Sequence, residues 1–251
     1  MAEALAIREY LLGPLHPDTV SIADRLAYQH EAFVEFDDAI PLLERVLAYL
    51  DHPQQTDLPN RNEETLRTVM RLGNAYQAVR RQPDQESIWR RALSLSEEAD
   101  RLALPARFVA VCRLEALYGA GHACHEQGRW QAADELLRQA VNTHRQNPEH
   151  YFFKCSGIST FGLREGLQAY ARTLHALDRP GEALSLLEEA LQLDPQEDRA
   201  RVGLLRDHAA VLHTLNQPTE ARDAEQRATT LAQKLNRRGR QRRAPEERFG
   251  S

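Results

Sequence analysis

Small and apolar residues recur along the chain at helical spacing, and the recurrence itself repeats over a long period. From a small residue x in an amphipathic run, small residues return at x+12 and x+19: Ala27, Ala39 and Val46; Gly73, Gln85 and Ala92; Gly121, Ala133 and Ala140; Ala171, Ala183 and Ala190; Ala209, Ala221 and Ala228. Thirteen of these fifteen positions are alanine or glycine, where composition alone gives about three. In the same register Leu42, Leu43, Ile88, Trp89, Leu136, Leu137, Leu186 and Leu187 form apolar pairs in the second run of each unit, which predicts amphipathic helices. Pro14, Pro53, Pro105, Pro148 and Pro195 follow apolar helical stretches and predict stops. Each unit reads helix, short turn, helix, stop. Small residues at three fixed places let antiparallel helices approach closely, and larger side chains there would overpack by about 1–3 kcal/mol.

The predicted organisation is a helical half unit over 1–15, five full units over 16–60, 61–106, 107–152, 153–196 and 197–236, and a basic disordered tail over 237–251. The run Glu3 to Leu12 reads as the last half of a second helix without a first-helix mate. Its apolar face, Leu5, Leu11 and Leu12, requires cover from the first full unit, from another subunit in an end-to-end contact, or from preceding sequence. Oligomeric state stays open at this point.

The pattern resembles the tetratricopeptide repeat. The run "GEALSLLEEALQLDP", with Leu184 to Pro195, is similar to that family's second helix and exit proline, although successive x residues are 46, 48, 50 and 38 apart, above the family's 34. Gly13, Pro14, His16, Pro17, Asp18 and Thr19 in "LGPLHPDTV", with Pro41 to Arg45 in "AIPLLERVL", look like the longer repeats of kinesin light chains and their bacterial relatives. The resemblance implies an all-α tetratricopeptide-type α-solenoid, a right-handed superhelix of antiparallel helix pairs. It also implies a non-enzymatic protein-interaction scaffold or adaptor whose concave groove receives a peptide or helix of a partner protein, with no cofactor.

First helices line the inner wall of such a stack, so x−3, x+1 and x+4 share one face that is expected to be exposed. The candidate groove residues are Asp24, Tyr28, Glu31, Met70, Asn74, Gln77, Tyr118, His122, His125, Gln168, Arg172, His175, Arg206 and His213. This wall runs from acidic to basic, and a partner with an acidic segment near the later units is complementary to it. The lysines with which some tetratricopeptide proteins clamp a C-terminal carboxylate are missing from the groove; Asn74 alone does not make that clamp.

Composition narrows the setting. With 42% apolar and 27% charged residues, the chain has a soluble, packed composition. Arg107, Arg113 and Glu115 interrupt its most apolar region, leaving no membrane span. Glu3, Arg8 and Glu9 stand where a secretory signal would be apolar, and the expected location is cytoplasmic. Cys112, Cys124 and Cys155 form no disulfide framework. Lys154 and Lys234 are the two lysines among 32 basic residues, and with 34 alanines this bias suggests a GC-rich, bacterial genome. The net charge of −5 divides into −9 for residues 1–236 and +4 for residues 237–251.

The densest group of chemically capable side chains is His122, Cys124, His125 and Glu126, with Cys112 upstream and His175 in the next unit. At x+3 Cys124 points to the packed interior and no CxxC pair exists, so no metal site is assigned. "HEQGR" from His125 has Arg129 in place of a second histidine, and "GISTF" from Gly157 has Phe161 in place of glycine; no catalytic residue is assigned. Tyr151, Phe152, Phe153 and Phe161 are expected to pack the long first helix of the fourth unit. Arg237, Arg238, Arg240, Arg242 and Arg243 make the tail a candidate for salt-sensitive contact with phosphates, without a sequence-reading element. Nucleic acid is therefore the less favoured partner, belonging to an alternative reading as a regulatory or sensor module of a bacterial signalling or transcription assembly.

Overall fold

A computed structural model describes residues 1–55, 58, 60–99, 101–146, 163–193 and 198–243, apart from the side chains of 82, 83 and 238–243. Eleven α-helices are present among the described residues: α1 (Ala2–Leu12), α2 (Pro17–Ala32), α3 (Phe36–Asp51), α4 (Arg61–Ala78), α5 (Gln82–Glu97), α6 (Ala106–Glu126), α7 (Trp130–Gln146), α8 (Leu163–Ala176), α9 (Pro180–Leu193), α10 (Arg199–Thr214) and α11 (Pro218–Arg243). They form two compact units, Met1–Gly162 and Leu163–Ser251. The first holds three helix pairs behind α1; the second holds α8 with α9 and α10 with α11.

All fifteen small-residue positions are buried. Gly73 and Gly121 show why size matters there: an added Cβ would come within 2.6 Å of the Trp89 ring and of Leu137, respectively. Gly119, which the repeat register did not single out, is tighter still, at 2.2 Å from the same indole. The main core of the first unit runs from Leu5 through Leu43, Leu66, Met70 and Trp89 to Ala120. In the second unit, Val202, Leu205, Ala228 and Leu231 form one cluster, and Ala209, Leu212, Ala221 and Ala224 another.

A backbone device repeats with the sequence. The residue at x+7 adopts a left-handed conformation in all five pairs: Val34, Arg80, Gly128, Asp178 and Asn216, with φ of 65°, 58°, 72°, 58° and 56°. Its N–H donates to the carbonyl of x+4, and the N–H of x+8 donates to that of x+3, as in Val34 to Glu31 and Glu35 to His30 at 3.0 and 2.8 Å. This Schellman arrangement satisfies carbonyls at the end of each first helix and turns the chain into the second. Glycine, asparagine and aspartate suit the position; Val34, being β-branched, is held there at a cost of about 1–2 kcal/mol.

Stops and starts divide between the prolines. Pro14 and Pro53 fall just after α1 and α3, whereas Pro105 is the N-cap of α6, seven residues after the C-cap of α5, and marks a start. Pro148 and Pro195, with the aromatic run Tyr151 to Phe161 and "GISTF", lie outside the described residues.

The tail expectation is corrected over 237–243, because α11 continues as helix to Arg243. Arginine and glutamine are good helix formers, and Gly239 costs only about 1 kcal/mol, too little to end a helix already propagating over several turns. Cover of the α1 apolar face by the first full unit is partial. Leu5 is buried, but Leu11 and Leu12 are 68% and 44% exposed, since α1 packs on α2 and is tied down by Arg8 to Asp18 and by Glu9 to Arg45.

Candidate functional site

The predicted wall is only partly a wall. In the first unit Tyr28 is 60% exposed, and Asp24, Gln77, His122 and His125 are half-buried, while Glu31, Met70, Asn74 and Tyr118 are buried. These four are corrected: they belong to the packing between elements. The first helices α4 and α6 pack on one another, so x−3 and x+1 turn partly into that seam. Met70 accordingly lies in the main core.

Glu31 is buried because it has a partner on the next first helix. Arg71 Nε donates to both Glu31 oxygens at 3.2 and 2.9 Å, and its Nη2 donates to Oε2 at 2.7 Å. Asp24 engages Nη1 of the same guanidinium. Burial works against the charge on Arg71, but hydrogen bonds and attraction from Glu31, then Asp24, hold its pKa above the ordinary value. Two of the predicted acidic contacts are thus the anchor of a cation that sequence reasoning missed. An arginine at x−2, beside Met70, carried no distinguishing signal.

Tyr118 is enclosed by α7. Its hydroxyl lies 3.2 Å from Nδ1 of buried His144, whose ring meets it edge-on. Burial lowers the His144 pKa from 6.5 to about 4. Because the folded pKa lies below the unfolded one, the stabilisation is complete above about pH 6.5 and is lost as pH falls toward 4. Unfolding free energy is expected to drop by about 2.5 kcal/mol between pH 7.5 and 4.5 from this group alone. His144→Phe is expected to remove that increment, read by urea titrations of both proteins at the two pH values. An unchanged slope would show that His144 is not the titrating group.

In the second unit Arg172, Arg206 and His213 are exposed, and Gln168 and His175 half-buried. Arg172 Nε donates to Asp207 Oδ2 at 2.7 Å, and Gln168 shares that carboxylate. His213 Nε2 sits 3.1 Å from Glu225, and His175 Nε2 lies 2.8 Å from Thr214 Oγ1. Asp207 is a further residue that the register did not flag. It neutralises much of the basic character expected at Arg172.

Of the tail residues, Arg237 is exposed about two turns before the end of α11, and Arg238, Arg240, Arg242 and Arg243 follow on its helical backbone. Cys124 and Cys112 are buried thiols. Arg129 Nη2 donates to Cys124 Sγ at 3.2 Å, and burial raises that thiol's pKa despite the guanidinium. Among the described residues, the group whose donor atoms meet within 4.8 Å is instead His30, Glu35 and Asp38 at the α2–α3 turn, where His30 Nδ1 pairs with Glu35 at 2.8 Å. Both carboxylates are exposed, and the pairing reads as a surface ion pair across the turn.

Helix hairpins with fixed small-residue seams, closed by one repeated turn, define a helical repeat fold. Tetratricopeptide repeat models match residues 116–150 and 164–207, one in each unit. Those two segments carry tetratricopeptide repeats, and the fold around them is of the tetratricopeptide type.

Solved structures share the fold at low sequence identity. Kinesin light chain TPR-like repeats of Podosopora anserina are 21% identical with a TM-score of 0.60, over 88% of this chain and 98% of theirs. BtubC (BKLC) from P. vanneervenii is 14% identical with a TM-score of 0.61, over 93% and 87%. The Rap conjugation gene regulator of plasmid pLS20, in complex with the Phr peptide, is 14% identical with a TM-score of 0.59, over 86% of this chain and 54% of that one. No curated protein matches the chain significantly. Among the described residues no helix is long and apolar enough to cross a membrane.

Proposed function

We propose that the chain is a non-enzymatic adaptor whose first-helix faces bind a peptide or helix of a partner protein. The observation that carries this reading is the set of residues left at the surface once the packed positions are removed: Tyr28 in the first unit, and Arg172, Arg206 and His213 in the second. An exposed tyrosine and arginines are side chains typical of recognition surfaces. The Phr peptide bound by Rap supports peptide recognition on this fold by analogy. A partner with an acidic segment suits the second unit, where Arg206 is exposed and, among the described residues, has no acidic partner.

Affinity capture from source-cell lysate tests the reading. The comparison is between the intact chain, an Arg172→Ala, His175→Ala, His213→Ala variant, and a truncation after Asn236. The expected result is one stoichiometric protein that the triple variant loses and the truncation keeps. Loss only on truncation, with nucleic acid in the eluate, would replace the adaptor by the regulatory reading, for which the helical basic run of α11 would be the contact.

A further inference from the structure

The last helix pair carries a small cleft that neither the repeat register nor the fold comparison identifies. Its volume is about 290 Å³; Val202 of α10 and Ala232 and Leu235 of α11 form an apolar floor, and Arg199, Arg206 and Asn236 stand around it. Arg199 and Arg206 are seven residues apart on one helix, so they lie on the same stripe, separated by about 10 Å along its axis. Both are exposed.

Each arginine has an acidic neighbour in sequence that is already engaged elsewhere. Asp198, before Arg199, accepts from Arg164 Nη2 at 3.0 Å and caps α10 by accepting from the Arg201 N–H at 2.7 Å. Asp207, after Arg206, takes Arg172 and Gln168. Those pairings turn both carboxylates away, and among the described residues no acid pairs with Arg199 or Arg206. Two exposed guanidiniums thus flank an apolar depression, with the Asn236 amide beside them.

We infer that this cleft is a binding subsite for an extended acidic peptide segment of the form acidic–x–apolar–x–acidic. The inference rests on the adaptor reading and gives it a location and a ligand pattern. In an extended chain residues i, i+2 and i+4 share one face, with the outer two about 13 Å apart. The central apolar side chain enters the depression over Val202 and Leu235, and each outer carboxylate meets one guanidinium; the long arginine side chains absorb the difference of about 3 Å in spacing. Arginine suits this role because its planar fork binds a carboxylate through two parallel hydrogen bonds. Asn236 offers an amide to the peptide backbone between the anchors.

The test uses the full chain and a blocked, fluorescent peptide containing Glu-Ser-Leu-Ser-Glu, read by anisotropy at low and high salt. The control peptide has the same composition with both glutamates adjacent. The expected result is binding that weakens at least tenfold for the control, at least tenfold for an Arg199→Glu, Arg206→Glu variant, and several-fold with added salt. A Leu235→Ala variant, which removes part of the apolar floor without altering charge, is expected to weaken binding too. Equal affinity for the two peptides, or for wild type and the double variant, would overturn the subsite, as would the absence of binding by the wild type. A partner captured from lysate and lost in the first-helix variant, together with failure of this peptide, would leave the adaptor standing and remove only the cleft.

Discussion

Replacing Trp89 with alanine is expected to lower the unfolding free energy by about 3–5 kcal/mol, the range for truncating a buried aromatic ring to a cavity. Trp89 is fully buried, and its ring lies against Gly73 of α4 and Gly119 of α6, so one side chain from a second helix seats two first helices. Shape holds it there, since among the described residues the indole Nε1 has no hydrogen-bond partner. Trp89→Phe is therefore expected to cost less than the alanine variant: it keeps most of the ring and removes a buried donor that has no acceptor. Gly119→Ala approaches the same contact from the other side. Its Cβ would fall 2.2 Å from the indole, and the expected cost is about 1–3 kcal/mol of overpacking. Urea titrations measure all three, and a Trp89→Ala loss below about 1 kcal/mol would mean that the seam relaxes around the missing ring.

Arg71→Met is expected to cost about 3–5 kcal/mol by leaving Glu31 as a buried carboxylate without its cation. The two partners are not equivalent. Glu31→Gln leaves Arg71 facing Asp24, which is half exposed and still able to pair with it, so this variant is expected to lose less. The double variant Arg71→Met, Glu31→Gln is expected to recover much of the first loss, because it removes both buried charges together. Strict additivity of the two single changes in chemical denaturation would show that the pair is not coupled. The effect is also expected to persist in high salt, since a buried pair is screened far less than the surface pairs such as Arg81 with Glu44.

The repeat was legible in the sequence because helix packing imposes a size limit at the same place in every pair. Ala23, Ala27 and Ala39 are fully buried for the same reason that Gly73 and Gly121 tolerate no side chain. The turns were legible as locations but not as a mechanism. Val, Arg, Gly, Asp and Asn share no chemistry that would mark x+7, and only backbone geometry reveals that each is left-handed.

The candidate surface was the least legible part. A helical register fixes which residues share a stripe, but whether that stripe meets water or another first helix depends on how far the stripe turns into the seam. Tyr28 and Asn74 occupy the same register position, yet the first is exposed and the second buried, because α4 has α6 packed on it and α2 ends that row within the first unit. Arg206 and Arg172 likewise share an expected face, but Asp207 holds one and not the other.

The sequence by itself determined the all-α class and the small-residue seams of the helix pairs among the described residues, since these follow from local propensity and a periodic limit on side-chain size. The tertiary structure alone decided which polar residues face solvent. That depends on partners distant in sequence: Glu31 is neutralised from 40 residues away by Arg71, His144 is enclosed with Tyr118, and Arg199 and Arg206 have no acidic partner among the described residues because Asp198 and Asp207 turn toward α8. Burial of a charge is a property of the whole packing around it, and no helical spacing encodes it.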